Sequence, residues 1–153
     1  LESARRCVDL AEHRDKKLMV GNQVRFTPAE RTMRRLLAEK VLGEPGYATH
    51  IQHKVRPRPY LPSPHEQLWQ MTVHNFDSVL AVLQRKPVSI CAHSFVPPWS
   101  RYRESATVSA IMAFEGGLIL NLLSSSDSKF KFYEMRVECS EGALVQRHYP
   151  SHK

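Results

Sequence analysis

Apolar residues recur at helical spacing in three stretches of the chain. Residues 3–14 predict a short helix, and residues 28–42 and 64–84 predict two longer helices, each with a single apolar face. The predicted buried faces are Met33, Leu36, Leu37 and Val41 in the second helix, and Leu68, Thr72, Phe76, Val79, Leu80 and Leu83 in the third.

The two longer helices begin with capping signals. Thr27-Pro28-Ala29-Glu30 and Ser63-Pro64-His65-Glu66 each place a hydroxyl at the N-cap and a glutamate three residues later, and proline suits the first helical position. Gly43 is expected to end the earlier helix.

Alternating and apolar runs predict strands, most of them after the last helix. They are Tyr47–Val55, Val88–Val96, Ala106–Phe114, Leu118–Leu123, Phe130–Cys139 and Ala143–Gln146, with a further short strand at residues 17–21. Gly116-Gly117 predicts a hairpin turn and residues 124–128 a polar connection. Residues 56–62 predict an extended loop, because their prolines cannot donate a ladder hydrogen bond. This order of elements predicts an α+β fold, with a mostly antiparallel sheet covered by helices on one face.

The composition is that of one ordinary globular domain. Of the 153 residues, 42% are hydrophobic and 24% charged, and no apolar run approaches the ~18 residues that would span a bilayer. Three widely spaced cysteines without a CxxC pair favour reduced thiols in a cytoplasmic protein over a disulfide framework. The chain begins at Leu1 rather than at a methionine, which suggests a start inside a longer chain.

Positive charge is concentrated at the start of the chain. The formal net charge is +7, and the first 60 residues hold 13 Lys/Arg against 7 Asp/Glu. A basic half raises nucleic-acid binding as a hypothesis. Arg31, Arg34 and Arg35, however, lie on the polar side of the predicted helix 28–42, where solvated charges are expected. We therefore expect neither a nucleic acid nor a membrane as partner.

The most suggestive polar cluster is Gln70, His74 and Asp77. Their spacings of four and three residues place them on one side of the third helix. A histidine with a carboxylate one turn away suits proton transfer near neutral pH. The alternative is a hydrogen-bonded core histidine beside a surface aspartate, and spacing alone favours that alternative. The chain has no GxGxxG and no GxxxxGK[ST], so it contains no recognisable phosphate cradle.

Three other sets of residues suggest chemistry less specifically. They are His50, His53, His65 and His93; Lys54, Arg56 and Arg58; and Trp99 and Tyr102. The histidines invite a metal site, although His50 and His53 would point to opposite faces of one strand. The basic residues alternate along an extended segment and suit either an anionic group or solvent. The aromatic residues either line a pocket or pack against the edge of the sheet.

Several segments, taken in order, match those of a known family. They are Val20–Ala29 with Leu36-Leu37 and Leu42–Glu44, then Met71–Asp77, Val96–Ser100, Phe114–Gly117 and Glu138–Leu144. Together they resemble the second domain of the glucose–fructose oxidoreductase/inositol dehydrogenase (Gfo/Idh/MocA) family, and Met71–Asp77 resembles its His-x-x-Asp helix. The resemblance covers nearly the whole chain, and its specificity comes from the order and spacing of loose motifs.

The resemblance implies an oxidoreductase that moves a hydride between NAD or NADP and a sugar- or polyol-like substrate. It also implies a cytoplasmic homo-oligomer that is joined through the sheet. Residues 1–21 resemble the last helix and strand of the family's Rossmann domain. Residues 22–153 resemble its substrate and oligomerisation domain, incomplete at the C-terminus. The family's glycine fingerprint and catalytic lysine would lie upstream of Leu1, so the isolated chain is expected to be inactive.

The same resemblance assigns the site residues. It implies that His74 is catalytic and that Gln70, Asp77, Arg25 and Trp99 bind substrate, with no cofactor or metal ligand in this chain. The family often has an aspartate where this chain has Gln70, and glutamine cannot exchange a proton. The alternative function is a non-catalytic descendant that binds carbohydrate or serves oligomerisation.

Overall fold

A six-stranded sheet forms the centre of the protein in the computed structural model, which describes residues 2–56 and 65–148. The strands are β1 (Pro45–Val55), β2 (Pro87–Phe95), β3 (Thr107–Phe114), β4 (Ile119–Ser125), β5 (Asp127–Cys139) and β6 (Gly142–Gln146). Their order across the sheet is β2-β3-β4-β1-β5-β6. Each of these strands overlaps one predicted from the sequence.

Neighbouring strands are antiparallel except for β1 and β4, which run parallel. The prediction of a mostly antiparallel sheet is therefore confirmed. β4 passes to β5 through Ser126 alone, and the two strands lie on either side of β1. Gly116 and Gly117 make the predicted hairpin between β3 and β4, both with φ of +80°, a conformation that side-chain-bearing residues rarely adopt.

Helices α1 (Glu2–His13), α2 (Pro28–Ala38) and α3 (Val73–Leu83) were all expected from the apolar spacing. α2 and α3 pack on one face of the sheet, as predicted. The shared core consists of Met33, Val79, Val82 and Leu83 from the helices and Ala48, Ala110, Met112, Phe114, Leu118, Leu120, Leu122, Tyr133, Met135 and Val137 from the strands and the hairpin. Among residues 2–56 and 65–148, no helix combines the length and the apolar character that crossing a membrane requires.

Helix α2 differs from its prediction at both ends. Thr27 is its N-cap and Pro28 its first residue, but the Thr27 side chain makes no capping hydrogen bond. Glu30 does not reach back to complete a capping box; it turns inward and is 1% exposed. The helix ends at Ala38 rather than at Gly43, since Lys40 turns into the left-handed region at φ of 52° and leaves Val41 exposed.

The predicted polar connection at residues 124–128 is wrong. Ser124 and Ser125 belong to β4, and Asp127 and Ser128 belong to β5. Ser124, Ser125, Ser126 and Asp127 are buried. Their side chains form hydrogen bonds with neighbouring elements, and these bonds replace the water that a polar run normally seeks.

The beginning of the chain makes no contribution to the core. α1 forms as predicted, yet none of its residues is buried. The predicted strand at residues 17–21 is wrong, because a strand exists only with a neighbour to share its ladder and no described strand lies beside it. Leu18, Met19 and Val20 are consequently exposed, Met19 to 85%.

Candidate functional site

Helix α3 is preceded by a π-helical turn, and the two make a continuous helix from residue 66. In this turn, Leu68–Thr72, the backbone N–H of Val73 bonds to the carbonyl of Leu68, five residues back instead of four. The carbonyl of Gln67 accepts a hydrogen bond from the Thr72 hydroxyl at 3.0 Å. π turns are rare and are concentrated at functional sites. The predicted helix start at Ser63-Pro64 lies outside the described residues.

The π turn changes the geometry expected for Gln70. A regular helix would have placed it one turn before His74, on the same side. Gln70 lies within the wider π turn, where four residues make less than one full turn of the helix. Gln70 therefore does not lie directly one turn before His74. Gln70 is partly buried, as is His74 at the start of α3.

A buried hydrogen-bond network fastens the π turn to the sheet. The side-chain amide of Gln67 donates to Ser124 Oγ at 2.8 Å, and Asn75 Nδ2 donates to the same oxygen at 2.9 Å. The hydroxyl of Ser126 donates back to Gln67 Oε1. Gln67 precedes the π turn and Asn75 follows His74, so these bonds hold the segment that carries His74 from both sides. Spacing rules did not indicate this network, because its members come from distant parts of the chain.

His74 has no hydrogen-bond partner within residues 2–56 and 65–148, and its ring nitrogen Nδ1 is buried. The alternative of a core histidine satisfied by hydrogen bonds therefore receives no support from the described residues. A proton-transfer residue needs a ring nitrogen that is not committed to an internal hydrogen bond, and His74 Nδ1 meets this condition among the described residues.

Asp77 pairs with Arg25 rather than lying alone at the surface. Arg25 Nε is 3.0 Å from Asp77 Oδ2, and its terminal nitrogen is 3.4 Å from the Asp77 carbonyl oxygen. Arg25 comes from a short 3₁₀ helix, Gln23–Phe26, that packs on α3. The two side chains are 35% and 17% exposed, so the pair borders the solvent. Two residues assigned to substrate binding are therefore in contact.

Trp99 lies on a turn after β2 and is 65% exposed. The turn is fixed by Asp127: Ser100 Oγ donates to Asp127 Oδ2 at 2.8 Å, and the backbone N–H of Arg101 donates to the same oxygen at 2.9 Å. Burial acts to raise the pKa of Asp127, but the Ser100 and Arg101 hydrogen bonds outweigh it and leave the pKa below its ordinary value. The turn that carries Trp99 is thus fixed, and none of the ring pairs among the described residues includes its indole.

The anchor of the π turn and the anchor of the Trp99 turn are adjacent in the sequence. Ser124 and Ser126 bind Gln67, and Asp127 binds Ser100 and Arg101. All three anchors lie where β4 ends and β5 begins. The segment that carries Gln70 and His74 and the turn that carries Trp99 are therefore both attached at this end of the sheet.

A second polar group that the sequence did not indicate lies between the helices and the sheet. His50 is 1% exposed, neither of its ring nitrogens has a hydrogen-bond partner among the described residues, and its ring meets Tyr133 edge-on at 5.3 Å. The Tyr133 hydroxyl donates to Glu30 Oε1 at 3.2 Å. Burial lowers the pKa of His50 to about 4. Burial also raises the pKa of Glu30, an effect partly offset by the hydroxyls of Ser78 and Tyr133.

The four histidines of the sequence analysis do not converge. His50 lies on the helix side of β1, whereas His53 lies on the other side against Phe132, as their odd offset predicted. His93 is on β2 near Phe95. Within residues 2–56 and 65–148, no three His, Cys, Asp or Glu side chains are grouped closely enough to hold a metal ion.

Comparisons with known proteins place the chain in a family context. A family model described as the GFO/IDH/MocA C-terminal domain matches residues 31–145. No curated protein matches the sequence at a significant level. Solved structures share the fold, at sequence identities too low to show more than the fold.

Three of these structures illustrate the match. One is from Sinorhizobium meliloti 1021, with a proposed myo-inositol dehydrogenase activity; it is 24% identical, with a TM-score of 0.80, over 94% of this chain and 46% of its own. A myo-inositol dehydrogenase from Corynebacterium glutamicum ATCC 13032 is 18% identical, with a TM-score of 0.73, over 84% and 40%. A UDP-N-acetylglucosamine 3-dehydrogenase from Acidithiobacillus ferrooxidans is 20% identical, with a TM-score of 0.72, over 95% and 45%. The chain therefore spans less than half the length of each.

We predict that the buried His50 makes the stability of this chain depend on pH. An unfolded histidine takes up a proton near pH 6.5, whereas His50 in the folded chain does so only near pH 4. The free energy of unfolding should therefore fall by about 3 kcal/mol through this group as the pH drops from 6.5 to 4. His50→Leu should remove that part of the loss in denaturant titrations, and His93→Leu, at an exposed histidine, should not.

Glu30 should change the pH dependence of stability in the opposite direction. Its raised pKa means that the folded chain binds a proton more readily than the unfolded chain, so Glu30 stabilises the fold as the pH falls. Glu30→Gln should therefore steepen the acid loss, opposite to His50→Leu. Equal pH profiles for His50→Leu and the parent chain would contradict the prediction.

Proposed function

This chain belongs to the GFO/IDH/MocA family of oxidoreductases, and from that premise we propose that it is the substrate-side domain of an NAD(P)-dependent enzyme. The substrate is a sugar or polyol, and His74 exchanges the proton of the hydroxyl whose carbon is oxidised. The nicotinamide cofactor, when bound, donates or accepts the hydride. The observation that carries the proposal is the position of His74, partly buried at the start of α3 and unpartnered in the described chain.

Within this proposal the cofactor is held mainly by residues outside the chain. A dinucleotide pyrophosphate needs a glycine turn that leads into a helix N-terminus. Gly116 and Gly117 instead form the β3–β4 hairpin, and α2 starts at Pro28, which has no N–H to donate. The described residues therefore do not fit the pyrophosphate.

We further propose that residues 1–21 are the tail of a Rossmann domain and residues 22–153 the substrate and oligomerisation domain. The support is that α1 buries none of its residues and that the apolar run after it is exposed. Apolar surface of this kind gains stability only when another layer covers it. Free Cys7, Cys91 and Cys139 support a reducing, cytoplasmic setting.

His74 would act as the general base in substrate oxidation. A neutral imidazole accepts the hydroxyl proton as the hydride leaves the same carbon, and returns it in the reverse direction. The bonds of Gln67 and Asn75 to Ser124 fix the helix on both sides of His74, which keeps the ring at one place relative to a bound substrate. This positioning contributes to rate because a misplaced base loses its proton-transfer geometry.

The other assigned residues would bind the substrate without exchanging protons. Asp77 holds the guanidinium of Arg25, whose N–H groups then point in fixed directions for substrate hydroxyls. Gln70 offers an amide, which accepts and donates hydrogen bonds. Trp99 offers an exposed indole face on which the apolar side of a sugar ring can pack.

We propose that the chain assembles into a homo-oligomer through the sheet face opposite the helices. Exposed apolar residues recur there: Tyr47, Ile111, Ile119, Phe132 and Val145. Because these residues come from five adjacent strands, they span much of the sheet, as a specific interface of ~1,000 Å² or more requires. In a two-fold dimer the same surface is used on both copies.

A non-catalytic binding or oligomerisation domain is the alternative function. One observation favours it: Gln70 stands where the family often has an acid, and an amide cannot replace its proton exchange. The kinetic prediction below separates the two functions.

We predict that the 153-residue chain does not bind NAD or NADP at micromolar concentrations, because it lacks a pyrophosphate cradle. Calorimetric titration with each cofactor measures this directly. A micromolar dissociation constant for either cofactor would contradict the proposal that residues outside this chain hold the cofactor. It would not contradict the role of His74.

We predict that His74→Ala in the full-length protein lowers turnover at least about tenfold and leaves cofactor affinity unchanged, since general bases contribute roughly 100- to 10,000-fold. Steady-state kinetics and cofactor titration measure the two effects. His93→Ala is the matched control and should keep full turnover. Gln70→Asp should raise the rate, because it restores a proton-exchanging group. A His74→Ala protein that is fully active would contradict the catalytic role of His74. A full-length protein without dehydrogenase activity on sugars or polyols would favour the binding domain.

We predict that Ile111→Lys shifts the chain from dimer to monomer in sedimentation experiments, because a buried lysine in an interface lacks a partner. Ile90→Lys is the control: Ile90 is 55% exposed, close to the 53% of Ile111, but it pairs with the core residue Met112 and so lies on the helix side of β2. A parent chain that remains monomeric at high concentration would exclude the proposed interface.

A further inference from the structure

A cavity of about 700 Å³ opens where β1 ends and β5 and β6 run past it. It is lined by Gln52, His53, Lys54, Val55, Arg56, Lys131, Phe132, Tyr133, Arg147 and His148. Its volume is within the range of small-ligand sites. None of its described lining residues is acidic, whereas four of them are lysine or arginine.

One cation of this cavity, Lys54, differs from a solvated surface charge. Lys54 is partly buried, and burial, together with the charge of Arg56, lowers its pKa to about 8. A lysine that is partly desolvated beside another cation gains from an anion bound nearby. Glu134 pairs with Arg147 at 3.4 Å.

A buried amide is directed at the same cavity. Gln52 lines it and is 2% exposed, and its Oε1 atom has no hydrogen-bond partner among the described residues. An unpaired buried polar atom costs free energy unless a ligand or water satisfies it. Gln52 thus supplies a polar contact at the inner wall, and the cations supply charge around it.

Aromatic rings complete the lining. Phe132 meets His53 edge-on at 6.1 Å, and Tyr133 follows on the buried side of β5. A ligand for this cavity must therefore carry an anionic group for the cations and a less polar body for the rings.

We propose that this cavity binds the phosphoryl group of a small organic phosphate, with Lys54, Lys131 and Gln52 as its main contacts. Phosphate esters combine a doubly charged group with a carbon skeleton, which fits both halves of the lining. The site is independent of the proposed hydride transfer, because neither His74 nor a cofactor takes part in it.

The contrast with a second cavity supports this choice. That cavity, about 570 Å³, lies along α2 and also contains Arg31, Arg34 and Arg35. Arg35 already pairs with Glu39 at 2.8 Å, and both side chains are at least half exposed. Charges of that kind are expected on the solvent side of a helix. A nucleic acid would engage such an extended basic surface, whereas the cavity at the end of β1 is concave and partly aromatic.

Binding by the purified chain tests the proposal. Glucose 6-phosphate and UDP-glucose are titrated by calorimetry, with inorganic phosphate and neutral glucose as further probes. The two organic phosphates should bind and glucose should not. Lys131→Met should weaken their binding about tenfold or more, the usual effect of losing a charge-assisted hydrogen bond. Lys129→Met, which removes the same charge two residues earlier on β5 and outside the lining, should leave it unchanged.

Protonation of Lys54 provides a second readout. An anion raises the pKa of this lysine, so binding just above pH 8 should take up protons, and the heat should depend on the buffer. Lys54→Met should abolish that dependence. Tighter binding of UDP-glucose than of glucose 6-phosphate would identify a diphosphate ligand, and the reverse order a monoester; either result supports the site. The absence of phosphate binding at millimolar concentrations, or equal weakening by Lys129→Met, would overturn it. So would binding of single-stranded DNA alone.

Discussion

The buried hydrogen bonds at the junction of β4 and β5 are the constraint on which the candidate site depends. Ser124 accepts two amide donors, one from each side of His74, and Asp127, the residue after Ser126, holds the turn of Trp99. A buried amide without its partner would cost roughly 1–3 kcal/mol, so the helix cannot shift along the sheet without losing several such bonds. The π turn is accommodated by the same bonds. The short polar segment from Ser124 to Asp127 therefore fixes the position of α3 on the sheet and the position of the turn that carries Trp99.

Buried polar side chains also lie between the helices and the sheet, where the interior is less apolar than the hydrophobic pattern of the sequence suggests. His50 and Glu30 both lose solvation, and Tyr133 links them through a ring contact and a hydroxyl. The two pKa shifts have opposite effects on stability as the pH falls. The fold is destabilised through His50, which is buried in its neutral form, and stabilised through Glu30, whose carboxyl takes up a proton more readily when folded. The fold is held by the apolar core around Leu120 and Leu122, which supplies the burial that offsets these polar groups.

The exposed apolar surfaces and the charged cavity give the domain several surfaces for partners, and Phe132 belongs both to the face opposite the helices and to the cavity. The face opposite the helices carries the apolar residues proposed for oligomer contact, α1 and the run after it carry those proposed for another domain, and the cavity beside β1 carries the cations. Each surface is a different combination of burial and charge on one sheet. If the cofactor is bound by residues outside the chain, as proposed, the domain contributes positioned side chains and interfaces.

The sequence by itself determined most of the helices and strands, because hydrophobic period and capping residues are local properties. It also indicated the family and the His74 helix through ordered motifs. It did not reveal that Glu30 turns inward, that serines 124–126 are buried, or that Asp77 pairs with Arg25, since each depends on a partner distant in the chain. The run at residues 17–21 is the converse case: its local pattern is that of a strand, but a strand needs a neighbour, and only the tertiary structure decides whether one is present.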